Sequence, residues 1–155
     1  MEIIKKKLPE PLIGIIESYT IFKPILREEL DEAIELWFEN KDEAIEKYGI
    51  IGTWNTCLIT DMSKLFNERE EFNEDISNWD VSNVTTMELM FKCCHKFNQP
   101  LNNWNVSNVT TMEYMFNGCT NFNQPLNNWD VRNVTDMENM FEKCLNLIKP
   151  HWYNQ

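Results

Sequence analysis

Residues 101–125 read LNNWNVSNVTTMEYMFNGCTNFNQP, and this pattern returns through most of the chain. The positions that recur every 25 residues are Trp54, Trp79, Trp104 and Trp129; Met62, Met87, Met112 and Met137; and Phe66, Phe91, Phe116 and Phe141. A fixed period of this length is typical of units that cannot bury an apolar face alone and must stack on one another. The sequence therefore predicts a repeat architecture.

The repeat divides the chain into three parts. Residues 51–150 hold four 25-residue units, residues 1–50 form a helical N-terminal segment, and residues 151–155 form a C-terminal tail. We expect the N-terminal segment to cap the stack, since an open end exposes apolar surface and unpaired strand edges. Asn154 stands where the register would place a fifth tryptophan, so the pattern ends with the fourth unit.

The N-terminal segment carries helical spacing. Apolar residues of the pattern i, i+3, i+4, i+7, i+8 are Leu30, Ala33, Ile34, Trp37 and Phe38. This predicts an amphipathic helix, followed by a second short helix that Asn40 caps and Gly49 ends. Residues 12–19 have the spacing of a further short helix.

Each unit has a limb with helical spacing. In residues 101–125, Thr110 and Glu113 have the spacing of a capping box, in which threonine and glutamate satisfy the first amides of a helix. Apolar residues over 112–119 then follow at i, i+3, i+4 and i+7, and Gly118 suits the left-handed conformation at a helix end. These features predict one short helix per unit.

The other limb has the features of an extended segment. Pro100 lacks an amide donor, so we expect it just before a short strand near residues 101–104. The predicted fold is an α/β repeat solenoid with short parallel strands on one face and short helices on the other, closed by the α-helical N-terminal cap.

Residues 97–119, FNQPLNNWNVSNVTTMEYMFNGC, resemble the BspA-like surface-protein repeat, a type first noted in mycoplasma lipoproteins and related to leucine-rich repeats. The resemblance covers about residues 51–150. It implies a leucine-rich-repeat-like fold without catalytic residues. Proteins with this repeat occur on bacterial surfaces, in protists and in large DNA viruses, which implies a role as an interaction protein. The first and last units depart from the pattern, as units next to caps would.

Residues 8–19, LPEPLIGIIESY, resemble the opening helix of F-box proteins. That resemblance implies a ubiquitin-ligase adaptor, which is one alternative to a protein-binding scaffold. A second alternative is a structural subunit of a larger assembly, for instance a viral one. Co-purified partners would separate the three functions.

Charge narrows the range of partners. The 155-residue chain has 14 basic and 25 acidic residues and a net charge of −11. Phosphate backbones and anionic membranes attract basic patches, so we expect neither nucleic-acid binding nor membrane insertion. No apolar run is long enough for a signal-peptide core or a membrane span. We therefore expect a cytoplasmic location, or the host cytoplasm or virion if the protein is viral.

The cysteines do not indicate a catalytic or metal-binding site. Their odd number, five, favours reduced thiols, and Cys94, Cys119 and Cys144 share one register position that the repeat alone explains as core. Cys93, Cys94 and His95 resemble metal ligands, but zinc needs four converging groups. No nucleophile has a neighbouring base in the pattern. We expect no metal, no cofactor and no enzymatic activity.

Recognition should use positions that vary between units, since the repeated residues serve the stack. The outward position of the predicted helices reads Lys64, Leu89, Tyr114 and Asn139. An exposed tyrosine beside a leucine is typical of an interface anchor. We therefore expect a protein partner to bind around Leu89 and Tyr114, although packing against the N-terminal segment would also explain them.

Overall fold

A computed structural model of the chain describes residues 21–153. These described residues include two helices, α1 (Arg27–Glu39) and α2 (Lys41–Tyr48), followed by a 3-10 turn at Ile51–Thr53. Beyond that turn the described chain consists of turns and has only isolated parallel bridges in place of regular strands. The helix predicted over residues 12–19 and the F-box-like stretch lie outside the described residues.

The two predicted N-terminal helices are confirmed. The α1 helix buries Leu30, Ala33, Ile34 and Trp37, the residues with helical spacing. The side chain of Asn40 accepts from the Glu43 amide at 3.3 Å and so caps α2. That helix ends at Gly49, whose φ of 75° is left-handed and therefore suits glycine.

The short helix predicted in each unit is wrong, although its buried face is right. Met112, Met115, Phe116 and Cys119 are all fully buried. Left-handed residues nevertheless stand four apart in this limb, at Tyr114 (φ 53°) and Gly118 (φ 79°), and an α-helix cannot contain them. The limb is a run of consecutive turns.

The reason for the turns is that the amides of this limb bond to the next unit. The bonds from the second unit to the third are Met87 N to Thr111 O (3.0 Å), Leu89 N to Glu113 O (2.9 Å), Phe91 N to Met115 O (2.9 Å) and Cys93 N to Asn117 O (2.8 Å). The same four bonds join the first unit to the second and the third to the fourth. Every donor in this ladder points toward the C-terminal end of the stack, and every acceptor points toward the N-terminal end.

The predicted strand and capping box are also corrected. Backbone pairing occurs at the parallel bridges between Thr86 and Thr111 and between Thr111 and Asp136, not near residues 101–104. The Thr110 hydroxyl does not cap a helix, because it donates to the Thr85 carbonyl of the preceding unit at 3.1 Å. Both features serve contacts between units, which a spacing rule for single elements does not represent.

The core is built from aromatic columns. Phe66, Phe91, Phe116 and Phe141 stack with centroid separations of 5.6, 5.4 and 5.7 Å. The predicted burial of the tryptophans is confirmed, since Trp79, Trp104 and Trp129 are at most 4% exposed. Each indole nitrogen donates to a carbonyl of the preceding unit, as from Trp129 to Leu101 at 2.9 Å. The columns therefore combine apolar burial with satisfied polar atoms.

The C-terminal tail continues these columns. Trp152, and not Asn154, follows Trp129, with a centroid separation of 6.2 Å and an interplanar angle of 11°. Its indole donates to the Leu126 carbonyl at 2.9 Å. Tyr153 packs edge-on against Phe141, and its hydroxyl hydrogen-bonds the Phe141 backbone. Two residues thus cover the aromatic centre of the last unit.

At the N-terminal end, α1 covers the acceptor side of the ladder. The Arg27 guanidinium donates to the Asp61 carbonyl at 3.2 Å and to the Ser63 carbonyl at 2.9 Å. In the later units the corresponding carbonyls accept from backbone amides. A cation suits this position, because aligned peptide dipoles place negative charge at their carbonyl end. Arg27 thus replaces a missing preceding unit.

Replacement of Trp104 by alanine should lower the free energy of unfolding by about 3–5 kcal/mol, the range for large aromatic residues in cores. The Trp152→Ala variant should lose less, because Trp152 lies at the end of its column and is only half-buried. Denaturant melts of both variants test this. A loss below about 1 kcal/mol for Trp104→Ala would contradict the buried column.

Replacement of Arg27 by methionine should cost about 1–3 kcal/mol, since two carbonyls at the acceptor end lose a charged donor. Arg132→Met is the matched control, because the Arg132 side chain is 87% exposed and its ion pair is with the nearby Asp130. We expect the control to change stability by less than about 0.5 kcal/mol. Equal losses in the two variants would show that Arg27 has no capping role.

Candidate interaction surface

Leu89 and Tyr114 occupy equivalent positions in neighbouring units, as the repeat predicts. They lie on turns and not on the predicted helices. Both have left-handed backbones, with φ of 58° and 53°, and both are half-buried. Their amides donate to Glu113 and Glu138 in the ladder. Their side chains therefore lie on the outer surface of the turn limb, on a backbone that the ladder holds in place. We name this surface the Leu89–Tyr114 face.

Polar groups hold the Tyr114 side chain in place. Its hydroxyl accepts from the Asn139 side chain at 2.9 Å, and the Lys92 ammonium lies 5.8 Å from the ring centroid. Asn139 occupies the same register position one unit later, also with a left-handed backbone. The ring is thus fixed between the second and fourth units while one side stays open to solvent. An ordered tyrosine costs little conformational entropy when it binds a partner.

A row of acidic side chains runs beside this face. Glu88, Glu113 and Glu138 share one register position. The pKa of the Glu113 carboxyl is raised, first by partial desolvation and then by the negative charges of Asp136, Glu88 and Glu138. Stacking of the units therefore concentrates negative charge beside the Leu89–Tyr114 face.

Exposed apolar residues at the two ends of the described chain were not predicted from the sequence. Leu145 and Ile148 of the last unit are 79% and 91% exposed, and Ile21 and Ile25 near the other end are 63% and 65% exposed. In the interior units the positions of Leu145 and Ile148 hold polar residues. That contrast within the repeat is the signal that could have identified them.

A cavity of about 350 Å³ lies between α1 and the first unit, lined by Glu35, Lys64, Leu65, Asn67, Glu68 and Arg69. The Arg69 guanidinium bridges it by donating to both carboxylate oxygens of Glu35, at 2.5 and 2.6 Å. The side-chain oxygen of Asn67 is buried there without a hydrogen-bond partner in the described structure. The lining of this cavity thus includes an ion pair between α1 and the first unit.

The in-register cysteines lie in or next to the core, as the sequence analysis expected. The thiols of Cys94, Cys119 and Cys144 donate to Phe66, Phe91 and Phe116 carbonyls at 2.9, 2.9 and 3.0 Å. Burial raises the pKa of Cys94 and Cys144 to about 12 and raises that of Cys119 further. These thiols are therefore poor nucleophiles at neutral pH.

Residues 21–153 contain neither a metal-binding cluster nor a membrane-spanning helix. No three His, Cys, Asp or Glu side chains in this part of the chain are arranged to hold a metal ion. Cys93 and His95 do not converge there on a common ligand set, and His95 instead lies 3.6 Å from Glu70. None of the helices described is long and apolar enough to cross a membrane.

The stacked units and aromatic columns define a repeat protein whose surface carries the variable residues. The chain belongs to the family described as Mycoplasma protein of unknown function, DUF285, whose model matches residues 32–152. This is a BspA-like, leucine-rich-repeat-related family, so the resemblance of the repeats is confirmed, whereas the F-box resemblance has no support. Comparisons with curated proteins and with solved structures gave no match.

Thiol reactivity should separate the cysteines by burial. In native protein at about pH 8 we expect the half-exposed Cys57 and Cys93 to react fast and the other three slowly, because a raised pKa keeps a thiol neutral. Denatured, unreduced protein should yield all five thiols, and elemental analysis should find no stoichiometric zinc. Bound zinc that Cys93→Ser abolishes would contradict this.

Proposed function

We propose that this protein is a non-enzymatic interaction or scaffold module, a capped solenoid of BspA-like repeats that binds another protein through the Leu89–Tyr114 face. Support for a solenoid comes from the ladder, which joins each unit only to its neighbours. Support for a binding role comes from the Leu89 and Tyr114 side chains, which are half-exposed on a backbone that the ladder holds in place.

The observation that carries the proposed face is the identity of its left-handed residues. A non-glycine residue in this conformation costs about 1–2 kcal/mol, and asparagine tolerates it better than leucine or tyrosine. The fourth unit has Asn139 at this register position, whereas the second and third have Leu89 and Tyr114. Large apolar side chains at strained, half-exposed positions favour a function in recognition.

Charge suggests what kind of partner this face would bind. Glu88 and Glu113 flank the two side chains on a chain with a net charge of −11. A partner surface with an apolar pocket for the Tyr114 ring and basic groups at its rim would complement both features. An F-box-type adaptor or a structural subunit would give different captured proteins, namely a ligase component or many copies of an assembly protein.

Replacement of Tyr114 by asparagine separates binding from folding. We expect the free energy of unfolding to stay constant or rise by about 1 kcal/mol, because asparagine suits the left-handed backbone. Immobilised Tyr114→Asn protein should lose the partner that wild-type protein captures from its source cells, as identified by mass spectrometry.

The matched control is Lys64→Asn, since Lys64 has φ of 59° at the same register position of the first unit. This variant should keep the partner. If Tyr114→Asn lowers stability by more than about 2 kcal/mol, the tyrosine is part of the core and the face does not exist. Capture that is equal in all three proteins would also contradict the proposal.

A further inference from the structure

The last unit ends in a backbone edge whose groups have no hydrogen-bond partner in the described part of the chain. In the interior units, a threonine carbonyl accepts a hydrogen bond from an amide of the next unit. The amides two and four residues after that threonine donate to carbonyls of the next unit. In the fourth unit the corresponding groups are the Thr135 carbonyl and the amides of Met137 and Asn139. None of these three groups has a hydrogen-bond partner among residues 21–153. Together they form an edge to which a parallel segment can be added.

Among residues 21–153, the two that cover this end lie over its centre. Trp152 and Tyr153 complete the aromatic columns, and the Tyr153 hydroxyl hydrogen-bonds the Phe141 backbone. A molecule that binds residues 135–139 therefore does not have to supply the buried aromatic rings of another unit. It has to supply an extended backbone with two carbonyls and one amide in the register of the interior bridges.

Side chains beside the edge select the charge of the occupant. Asp136 and Glu138 are both exposed. Glu138 is the last of the stacked glutamates, and an added segment would place one of its own residues over it. A lysine or arginine at that position would be attracted, whereas another glutamate would extend the row of like charges.

A second copy of this chain fits the edge poorly. Antiparallel pairing about a twofold axis would join Met137 amides to Thr135 carbonyls in both directions. The same geometry would set Asp136 directly opposite Asp136 of the other copy. Like charges at directly opposed positions are destabilising, and charged edge residues are a common means of preventing such pairing. The acidic edge therefore favours a different, basic partner.

We propose that residues 135–139 bind an extended, basic segment of another protein, which adds in parallel to the edge and places a lysine or arginine over Glu138. The interior bridges from Thr86 to Thr111 and from Thr111 to Asp136 are the template for this pairing. The edge site adjoins the Leu89–Tyr114 face through Asn139, but it binds through backbone groups of residues 135–139 and does not use the Leu89 or Tyr114 side chains, so either proposal can fail without the other.

Two peptides derived from the chain's own third unit test the edge site. The glutamate peptide has the sequence of residues 107–114, SNVTTMEY. The lysine peptide has the same sequence with lysine in place of its glutamate, which is Glu113 in the protein. In free protein the Met137 and Asn139 amides should exchange faster than the bonded amides of Met112 and Tyr114. Excess lysine peptide should slow exchange at Met137 and Asn139 about tenfold, because each then gains an acceptor.

The specific control is to swap the charged residues between the protein and the peptide. At low salt the lysine peptide should bind about fivefold tighter than the glutamate peptide, and Glu138→Lys should reverse that order. Glu71→Lys changes the net charge equally but lies in the first unit, so it should keep the wild-type order.

Three results would overturn the edge site. The first is no binding of the lysine peptide up to about 1 mM, a very weak affinity for a specific peptide site. The second is binding that leaves exchange at Met137 and Asn139 unchanged, including binding centred on Leu145 and Ile148. The third is a dimer of the free chain in sedimentation that protects the same amides, which would identify a second copy as the occupant.

Discussion

The structure depends on a ladder of amide-to-carbonyl bonds that all run in one direction between units. Four amides of the turn limb in each of the first three units donate to the unit that follows. Such a row requires left-handed residues at intervals of four, which Tyr114 and Gly118 illustrate. The aromatic columns fill the space that this backbone encloses, so the ladder and the core stabilise the same arrangement.

The direction of the ladder gives the two ends of the stack opposite chemistry. Carbonyls face the N-terminal end, where Arg27 of α1 donates to two of them. Amides face the C-terminal end, where the Tyr153 hydroxyl satisfies Phe141 but Met137 and Asn139 stay without acceptors among the described residues. The ladder carbonyls at the N-terminal end thus accept from Arg27 of helix α1, while at the C-terminal end two ladder amides lack acceptors and the Thr135 carbonyl lacks a donor among residues 21–153.

The ladder and the aromatic columns also determine which positions can vary between units. Side chains in the columns cannot change without loss of packing, whereas the ladder uses only backbone groups, so the half-exposed side chains at ladder positions such as Leu89 and Tyr114 can vary. Leu89 and Tyr114 are variable side chains of this kind on one surface, and the acidic residues around Asp136 are variable side chains at the edge. Both proposed surfaces therefore follow from how the repeat separates structural residues from variable ones.

The sequence by itself determined the repeat, its period, the two helices before it and the buried face of each unit. Met112, Phe116 and Cys119 are core because apolar residues at a fixed register must be buried whichever backbone carries them. Only the tertiary structure decided that this backbone is a run of turns, that Trp152 stacks on Trp129 and that one edge has no partner among residues 21–153. Helical and turn limbs share the same apolar spacing, and the bonds that distinguish them join residues about 24 positions apart, beyond the reach of local patterns.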